Sequence, residues 1–371
     1  MRILSYRRHT RNHTVSVDWR REKLFLKVNP SRADATREID GHRLLRRLYP
    51  VPALRWHAAV GPVTVIAYDR VGTDGPDDGL LLDEINAADE TGDWTGLDRI
   101  LDAVIGRYAA VLGRTFRLMP QADTVSKLYG DRAAIGGRLD AYYGSGRPIL
   151  CLPDGEMLRP QDLRRITLIV NGRERRVDFD EVLPWLRRVF APQRQVWAAI
   201  TQGDPTDLNI GMGPVWFDYD TAGFNALAGE FACFLMYQQL YGGWLVPTYN
   251  RAAFVDHGKT IHGRRRNRPV VDVSREGTHA VRIDYQHHAS PARQHVISRY
   301  LKELMEPVAF NLGMTATLDW LRPYLVLRIL GVYNLGTLAT ADTALLLGYL
   351  VETLSDETRL NDLLGEQSLT V

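Results

Sequence analysis

The residues from 202 to 220, QGDPTDLNIGMGPVWFDYD, hold the densest set of chemically useful side chains in this chain. Asp204 stands five positions before Asn209, and Asp218 and Asp220 follow a short apolar run. Gly203 and Pro205 flank Asp204 and disfavour a regular helix there. The stretch 210–217 contains two short apolar runs around a Gly-Pro turn. A hairpin of that length carries Asn209 and Asp218 at neighbouring strand ends. The two would then share one cation, with Asp204 projecting from the preceding loop. A carboxylate so placed can orient a hydroxyl nucleophile and accept its proton, and an Asn–Asp pair offers the hard oxygens that magnesium takes. Any one of these residues alone reads better as a turn former. Their joint order and spacing argue for a site.

Lys27 is the second signal. Arginine supplies nearly all the positive charge: of 46 Lys and Arg, only five are lysines, at 23, 27, 127, 259 and 302. Lys27 interrupts the apolar run LFLKV at 24–28. Inside such a strand an ammonium needs an acidic partner, because an unpaired buried charge is costly. The plain alternative is a strand-edge lysine whose stem packs while its head reaches water.

The elements that must position these residues fall into two parts. Residues 14–18 and 24–28 predict two strands joined by a polar turn. A helix follows over about 34–48, with Ile39, Leu44, Leu45 and Leu48 on one face, and Pro50 ends it. Apolar runs at 54–60 and 63–68 predict two more strands. The polar, glycine-rich segment 71–79 reads as a linker. Beyond it the pattern is mainly helical, with helices expected over 97–118, 134–143, 180–201, 224–241, 290–312, 315–337 and 340–355. Residues 166–170 and 173–179 predict a hairpin, since Asn171-Gly172 suits the positive φ angles of a tight turn.

A chain of 371 residues, 45% hydrophobic and 24% charged, has room for one large two-lobed unit or two domains. A net charge of +2 gives no reason to expect nucleic acid or a membrane surface as partner. Cys151 and Cys233 are far apart, so neither a disulfide framework nor a cysteine zinc site is suggested. The N-terminus lacks the apolar core of a signal peptide, and no apolar stretch is long enough for a membrane span. A cytoplasmic location is the expectation.

The 202–220 segment resembles the catalytic and metal loops of the aminoglycoside phosphotransferase and choline kinase superfamily, whose members share the protein-kinase-like fold. The family reads roughly HGDxxxxN, an apolar hairpin, then IDxxxAG; this chain reads QGDPTDLN and FDYDTAG. The resemblance implies Asp204 as catalytic base, Asn209 and Asp218 as magnesium ligands, and Asp220 as an accessory metal ligand. Glu230 matches an acid that braces the loop. Lys27 falls where the family's phosphate-binding lysine sits, and Glu38 in the next helix matches the acid that pairs with it. The run 65–71, with Tyr68 and Val71, resembles the hinge whose backbone binds adenine. Gln202 replaces the usual histidine; it can hydrogen-bond but cannot become cationic. The loop 7–13, which would cover the nucleotide, has no glycine. The resemblance covers residues 10–72 loosely and 198–240 well.

It implies an α+β bilobal fold: a small β-rich nucleotide-binding lobe over 1–70, and a large, mainly helical lobe over 71–371 for catalysis and acceptor binding. The implied activity transfers the γ-phosphate of ATP, with Mg2+, to a hydroxyl of a small molecule such as an antibiotic, sugar, nucleoside or amino alcohol. A catalytically silent kinase-fold protein that binds a nucleotide or partner is the alternative, and oligomeric state stays open. Other motifs weigh less. Gly258-Lys259-Thr260 lacks the glycine a phosphate-binding loop needs five residues earlier, where Ala253 stands. His257, His262, His287, His288 and His295 lack metal-site spacing. The arginine run 264–268 reads as a solvated loop or an anion grip. Tyr237 and Tyr241 read as core; Trp244 and Tyr249 read as core or as acceptor-pocket lining. The many Arg and His residues between 244 and 295 hint at a neutral or anionic acceptor.

Overall fold

Alternating apolar residues near the N-terminus build one antiparallel sheet. Its strands are β1 (Arg2–Arg8), β2 (His13–Trp19), β3 (Glu22–Asn29), β4 (Leu54–Val60) and β5 (Val63–Asp69), in the order β1-β2-β3-β5-β4. Helix α1 (Arg32–Leu45) follows β3, its first turn capped by the Ser31 side chain accepting from the Asp34 amide. The computed structural model describes residues 2–8, 12–71, 79–249, 268–315 and 317–364. The GKT motif at 258–260, His257, His262, the arginines at 264–266, residues 9–11 of the expected covering loop and residues 72–78 of the linker lie outside them.

The register settles the status of Lys27. On β3 it lies across from Thr14 on β2 and Ile66 on β5. It therefore occupies a central strand and is buried. A snorkelling edge lysine is excluded.

After residue 79 helices dominate. These are α2 (Leu81–Thr91), α3 (Thr95–Thr115), α4 (Gly130–Ala133), α5 (Arg138–Tyr143), α6 (Phe179–Val189), α7 (Leu227–Met236) and α8 (Val246–Tyr249). Then come α9 (Pro291–Tyr300), α10 (Glu306–Asn311), α11 (Leu318–Val332), α12 (Thr340–Leu354) and α13 (Leu360–Leu363). The long apolar helices α7, α11 and α12 are buried nearly throughout, and their contacts form the centre of this lobe. Between α7 and α8 the chain is π-wound over Tyr237–Leu245. No helix among the described residues is long and apolar enough to cross a membrane.

Short sheets carry the loops. Strands β6 (Arg117–Pro120), β11 (Gln195–Thr201) and β14 (Gly223–Ala226) form one, with β11 in the middle. Strands β7 (Leu150–Cys151) and β8 (Met157–Leu158) form a small hairpin, as do β12 (Ile210–Gly211) and β13 (Val215–Trp216). The hairpin at Asn171-Gly172 forms as expected, between β9 (Thr167–Val170) and β10 (Arg173–Arg175), with Asn171 at φ 47° and Gly172 at φ 78°. It joins β15 (Val270–Glu276) and β16 (Ala280–Gln286) in a four-stranded sheet.

Four helix expectations need correction. The one over 97–118 ends at Thr115 and gives way to strand β6. The one over 180–201 ends at Val189, and 195–201 is strand β11. Pro192 breaks the chain there, and the apolar run 196–200 is short enough to be either element. Residues 223–226 begin as strand β14 before α7 starts. Only Arg138–Tyr143 of 134–143 is helical, following two glycines. Strand β1, helix α2 and the β15–β16 hairpin were not expected.

Candidate active site

Strand β3 and helix α1 meet the loop after β13 at Lys27. The Lys27 ammonium donates to Glu38 Oε2 at 2.9 Å and to Asp218 Oδ1 at 2.5 Å. Glu38 ties three elements together: its carboxylate also accepts from the Tyr68 hydroxyl at 3.2 Å and the Tyr219 amide at 3.2 Å. Gly41 makes this approach possible. A Cβ there would stand 2.0 Å from the Tyr219 carbonyl oxygen, so only glycine lets α1 lie against the loop. Burial works against the Lys27 charge, but Asp218 and then Glu38 outweigh it and raise its pKa above the ordinary value. Burial raises the Glu38 carboxyl, and Lys27 pulls the other way.

Asp218 itself adopts φ 58°, a left-handed backbone uncommon outside glycine, and its side chain is 41% exposed. Such a conformation persists only where its surroundings hold it, and it recurs at ligand-binding positions. Asn209 stands beside the same turn, because its carbonyl accepts from the Phe217 amide at 2.9 Å. Asn209 Nδ2 donates to the Asp204 carbonyl at 2.9 Å. Asp220 is paired with Lys127 across the loop. Burial and the Asp218 charge raise its carboxyl above the usual range, with Lys27 and Lys127 opposing.

Gln202 joins the two loops. It is fully buried; its Nε2 donates to the carbonyls of Phe217 at 3.0 Å and Asp218 at 2.5 Å, while its Oε1 accepts from the Asp204 amide at 2.8 Å. Gly203 sits between them at φ 92°, where a Cβ would be 2.4 Å from the Thr221 carbonyl oxygen. Glu230 braces the start of this loop, accepting from Thr201 Oγ1 at 2.7 Å and the Tyr108 hydroxyl at 2.9 Å. Burial pushes its carboxyl up to about 7 against those hydrogen bonds.

The Asp204 side chain is 32% exposed and has two neighbours that the sequence reading missed. Cys233 Sγ donates to Asp204 Oδ1 at 3.1 Å, and Arg328 Nη1 lies 3.5 Å from the same oxygen. Burial raises the Cys233 thiol well above its ordinary value. Arg328 interrupts an apolar helix as Lys27 interrupts an apolar strand, and that signal was available in the sequence.

Thus Lys27, Glu38, Tyr68 and Asp218 come together, with Asp204 and Asn209 one loop away. Tyr68 enters through its side chain, while its backbone is paired on both sides, with Phe25 and Leu54. Val71 ends the described run after β5. His287 hydrogen-bonds to Tyr349 and His295 to Asp98, and among the described residues no group of three His, Cys, Asp or Glu could hold a metal. Trp244 is core, donating from Nε1 to Asp342 at 2.8 Å.

At this site a strand-rich N-terminal region contributes a lysine and a mainly helical C-terminal region contributes the aspartate it touches, an α+β architecture. No protein-family model matches the chain, and no curated protein matches it in sequence. Among solved structures, it is similar to a thermostable mutant of the aminoglycoside phosphotransferase APH(4)-Ia in its apo form, with TM-score 0.43 and 13% identity over 93% of this chain and 92% of that one. It is also similar to a microcompartment-associated aminopropanol kinase, with TM-score 0.34 and 14% identity over 95% and 89% of the two chains. A third is a ternary complex of an APH(4)-Ia mutant with AMP-PNP and hygromycin B, at TM-score 0.38 and 15% identity over 71% and 82%.

Proposed function

We propose that the protein is an ATP-dependent phosphotransferase acting on the hydroxyl of a small molecule. The observation that carries this is the Lys27 ammonium held between Glu38 of its own lobe and Asp218 of the other. Against a catalytically silent binding protein stands the whole set of Lys27, Glu38, Asp204, Asn209 and Asp218, which a binding module does not need.

In this reading Lys27, fixed by Glu38, and Tyr68 behind it, holds the nucleotide phosphates. The half-exposed carboxylate of Asp218 and the Asn209 side chain are the hard-oxygen donors that fit magnesium, with Asp220 nearby as accessory. Magnesium supplies charge neutralisation on the phosphates when bound. Two protein donors are few for a cation held by protein alone, which suits one that also binds nucleotide oxygens. Asp204 orients the acceptor hydroxyl and takes its proton. The acceptor oxygen forms a bond to the γ-phosphorus, the bond from that phosphorus to the β–γ bridging oxygen breaks, and ADP leaves. Gln202 keeps the base and the metal loop in register without carrying charge. The test is ADP release from Mg-ATP across a panel of hydroxyl acceptors; a wild-type protein that binds no nucleotide and releases no ADP would overturn the proposal.

A further inference from the structure

Arg328 stands in the otherwise apolar stretch LVLRIL of α11 and is 5% exposed. Its Nη1 faces Asp204, and its Nε is buried with no hydrogen-bond partner among the described residues. Gly331, three residues on, shares that helix face. The stem of Arg132 covers it, with Cδ 3.3 Å from where a Cβ would stand. Arg132 is half-buried, and its Nε and Nη1 are likewise buried without a partner among the described residues. Arg138 reaches the same turn, donating from Nη1 to the Gly331 carbonyl at 3.0 Å. Tyr241 closes the group: its ring centre is 5.7 Å from the Arg328 guanidinium carbon, and its hydroxyl is buried and unpartnered among the described residues.

Positive charge is in excess here. Asp204 is the acid beside these arginines, and Cys233 already donates to the oxygen that Arg328 faces. Burial, then Arg328 and Arg138, lower the pKa of Arg132 to about 10. Buried guanidinium groups with open donors are costly unless an anion completes them. A guanidinium fork matches the geometry of a carboxylate or phosphate. The nucleotide's own phosphates are accounted for by Lys27 on the other lobe, whereas this cluster borders the proposed base.

We propose that Arg132, Arg328 and Tyr241 form an oxyanion subsite beside Asp204, so that the acceptor carries a carboxylate or phosphate as well as the hydroxyl that is phosphorylated. This rests on the phosphotransferase reading and narrows its acceptor to anionic compounds. A polycationic aminoglycoside would meet like charge at this wall.

Two measurements test it. In the first, ADP release from Mg-ATP is compared for gluconate against glucitol, glucose 6-phosphate against glucose, and kanamycin. The charged member of at least one pair is expected to exceed its neutral partner at least tenfold in kcat/KM, and the pair that responds tells carboxylate from phosphate. Preference for kanamycin or for the neutral members would overturn the subsite while leaving the phosphotransferase reading intact. In the second, inorganic sulfate is titrated into Mg-ADP-loaded protein and the unfolding temperature is followed. Sulfate is expected to stabilise the wild type, with its half-effective concentration raised about tenfold in Arg132→Gln and Arg328→Gln. Tyr241→Phe, which removes only a hydroxyl, should show a smaller rise of about threefold. Equal sulfate stabilisation of all four proteins, or none in the wild type, would overturn the proposal. A protein that binds no nucleotide and releases no ADP, yet keeps the sulfate response of the Arg132 and Arg328 site, would sink the phosphotransferase reading and leave the anion site without its acceptor role.

Discussion

The Gln202 carboxamide donates to the Asp218 carbonyl at 2.5 Å while its oxygen accepts from the Asp204 amide at 2.8 Å. One neutral side chain therefore fixes the spacing between the proposed base and the proposed metal ligand. Gln202→Ala leaves buried backbone groups unpaired, at a cost of about 1–3 kcal/mol. Turnover is expected to fall roughly 10- to 100-fold as the two loops lose register. Gln202→Glu is expected to do worse, since an ionised carboxylate would face two carbonyls. Thermal unfolding and steady-state kinetics on both variants check this; unchanged kcat in Gln202→Ala would make the residue a bystander.

Lys27→Met removes the ammonium but keeps the bulk. Glu38, already raised by burial, can take a proton, so the variant should fold. Phosphoryl transfer is expected to drop roughly 100-fold or more. Lys27→Arg is not expected to rescue it, because the planar, wider guanidinium does not fit a central-strand position between Glu38 and Asp218. Circular dichroism and a single-turnover assay distinguish lost chemistry from lost fold.

Glu230 gives a stability signature with a definite sign. Its folded pKa of about 7 lies above the ordinary carboxylate value of 4.5. The folded protein therefore holds the proton more tightly than the unfolded chain, and stability contributed by this group falls as pH rises between those two values. The loss is on the order of 3 kcal/mol and complete above the upper one. Glu230→Gln lacks this dependence. The stability of the variant relative to wild type is thus expected to improve steadily from pH 4.5 to pH 7, whatever constant offset its altered hydrogen bonds introduce. Denaturant unfolding of both proteins across this range measures it, and parallel pH curves would refute it.

The two cysteines should differ sharply in reactivity. Cys151 is exposed, whereas Cys233 is buried with its thiol pushed up. Alkylation of the folded protein near neutral pH is expected to mark Cys151 and to spare Cys233 until the chain unfolds. Mass spectrometry of the modified peptides reads this directly.

The site was legible where a residue contradicts its surroundings. Lys27 in an apolar strand and a run of acids around a Gly-Pro turn are local signals, and the 202–220 hairpin formed where its turn chemistry put it. The strand-rich first part and the mainly helical remainder followed from strand-period residues early and helix-period residues later. Strand β11 was misread because its apolar run carries no period that separates strand from buried helix. The bridging position of Gln202 was hidden for another reason: its partners are backbone groups of residues 204, 217 and 218, which composition cannot reveal. Arg328 was overlooked although it stands out like Lys27, because its partner Asp204 lies 124 positions away in sequence.

The most direct measurement compares ADP release and nucleotide binding in Asp204→Asn and Asp218→Asn with a productive acceptor. Asp204→Asn is expected to bind Mg-ATP near normally yet lose transfer by at least a hundredfold, since only the proton acceptor is removed. Asp218→Asn is expected to lose transfer and to require a higher magnesium concentration for nucleotide binding. Near-normal turnover in either folded variant would show that the chemistry lies elsewhere.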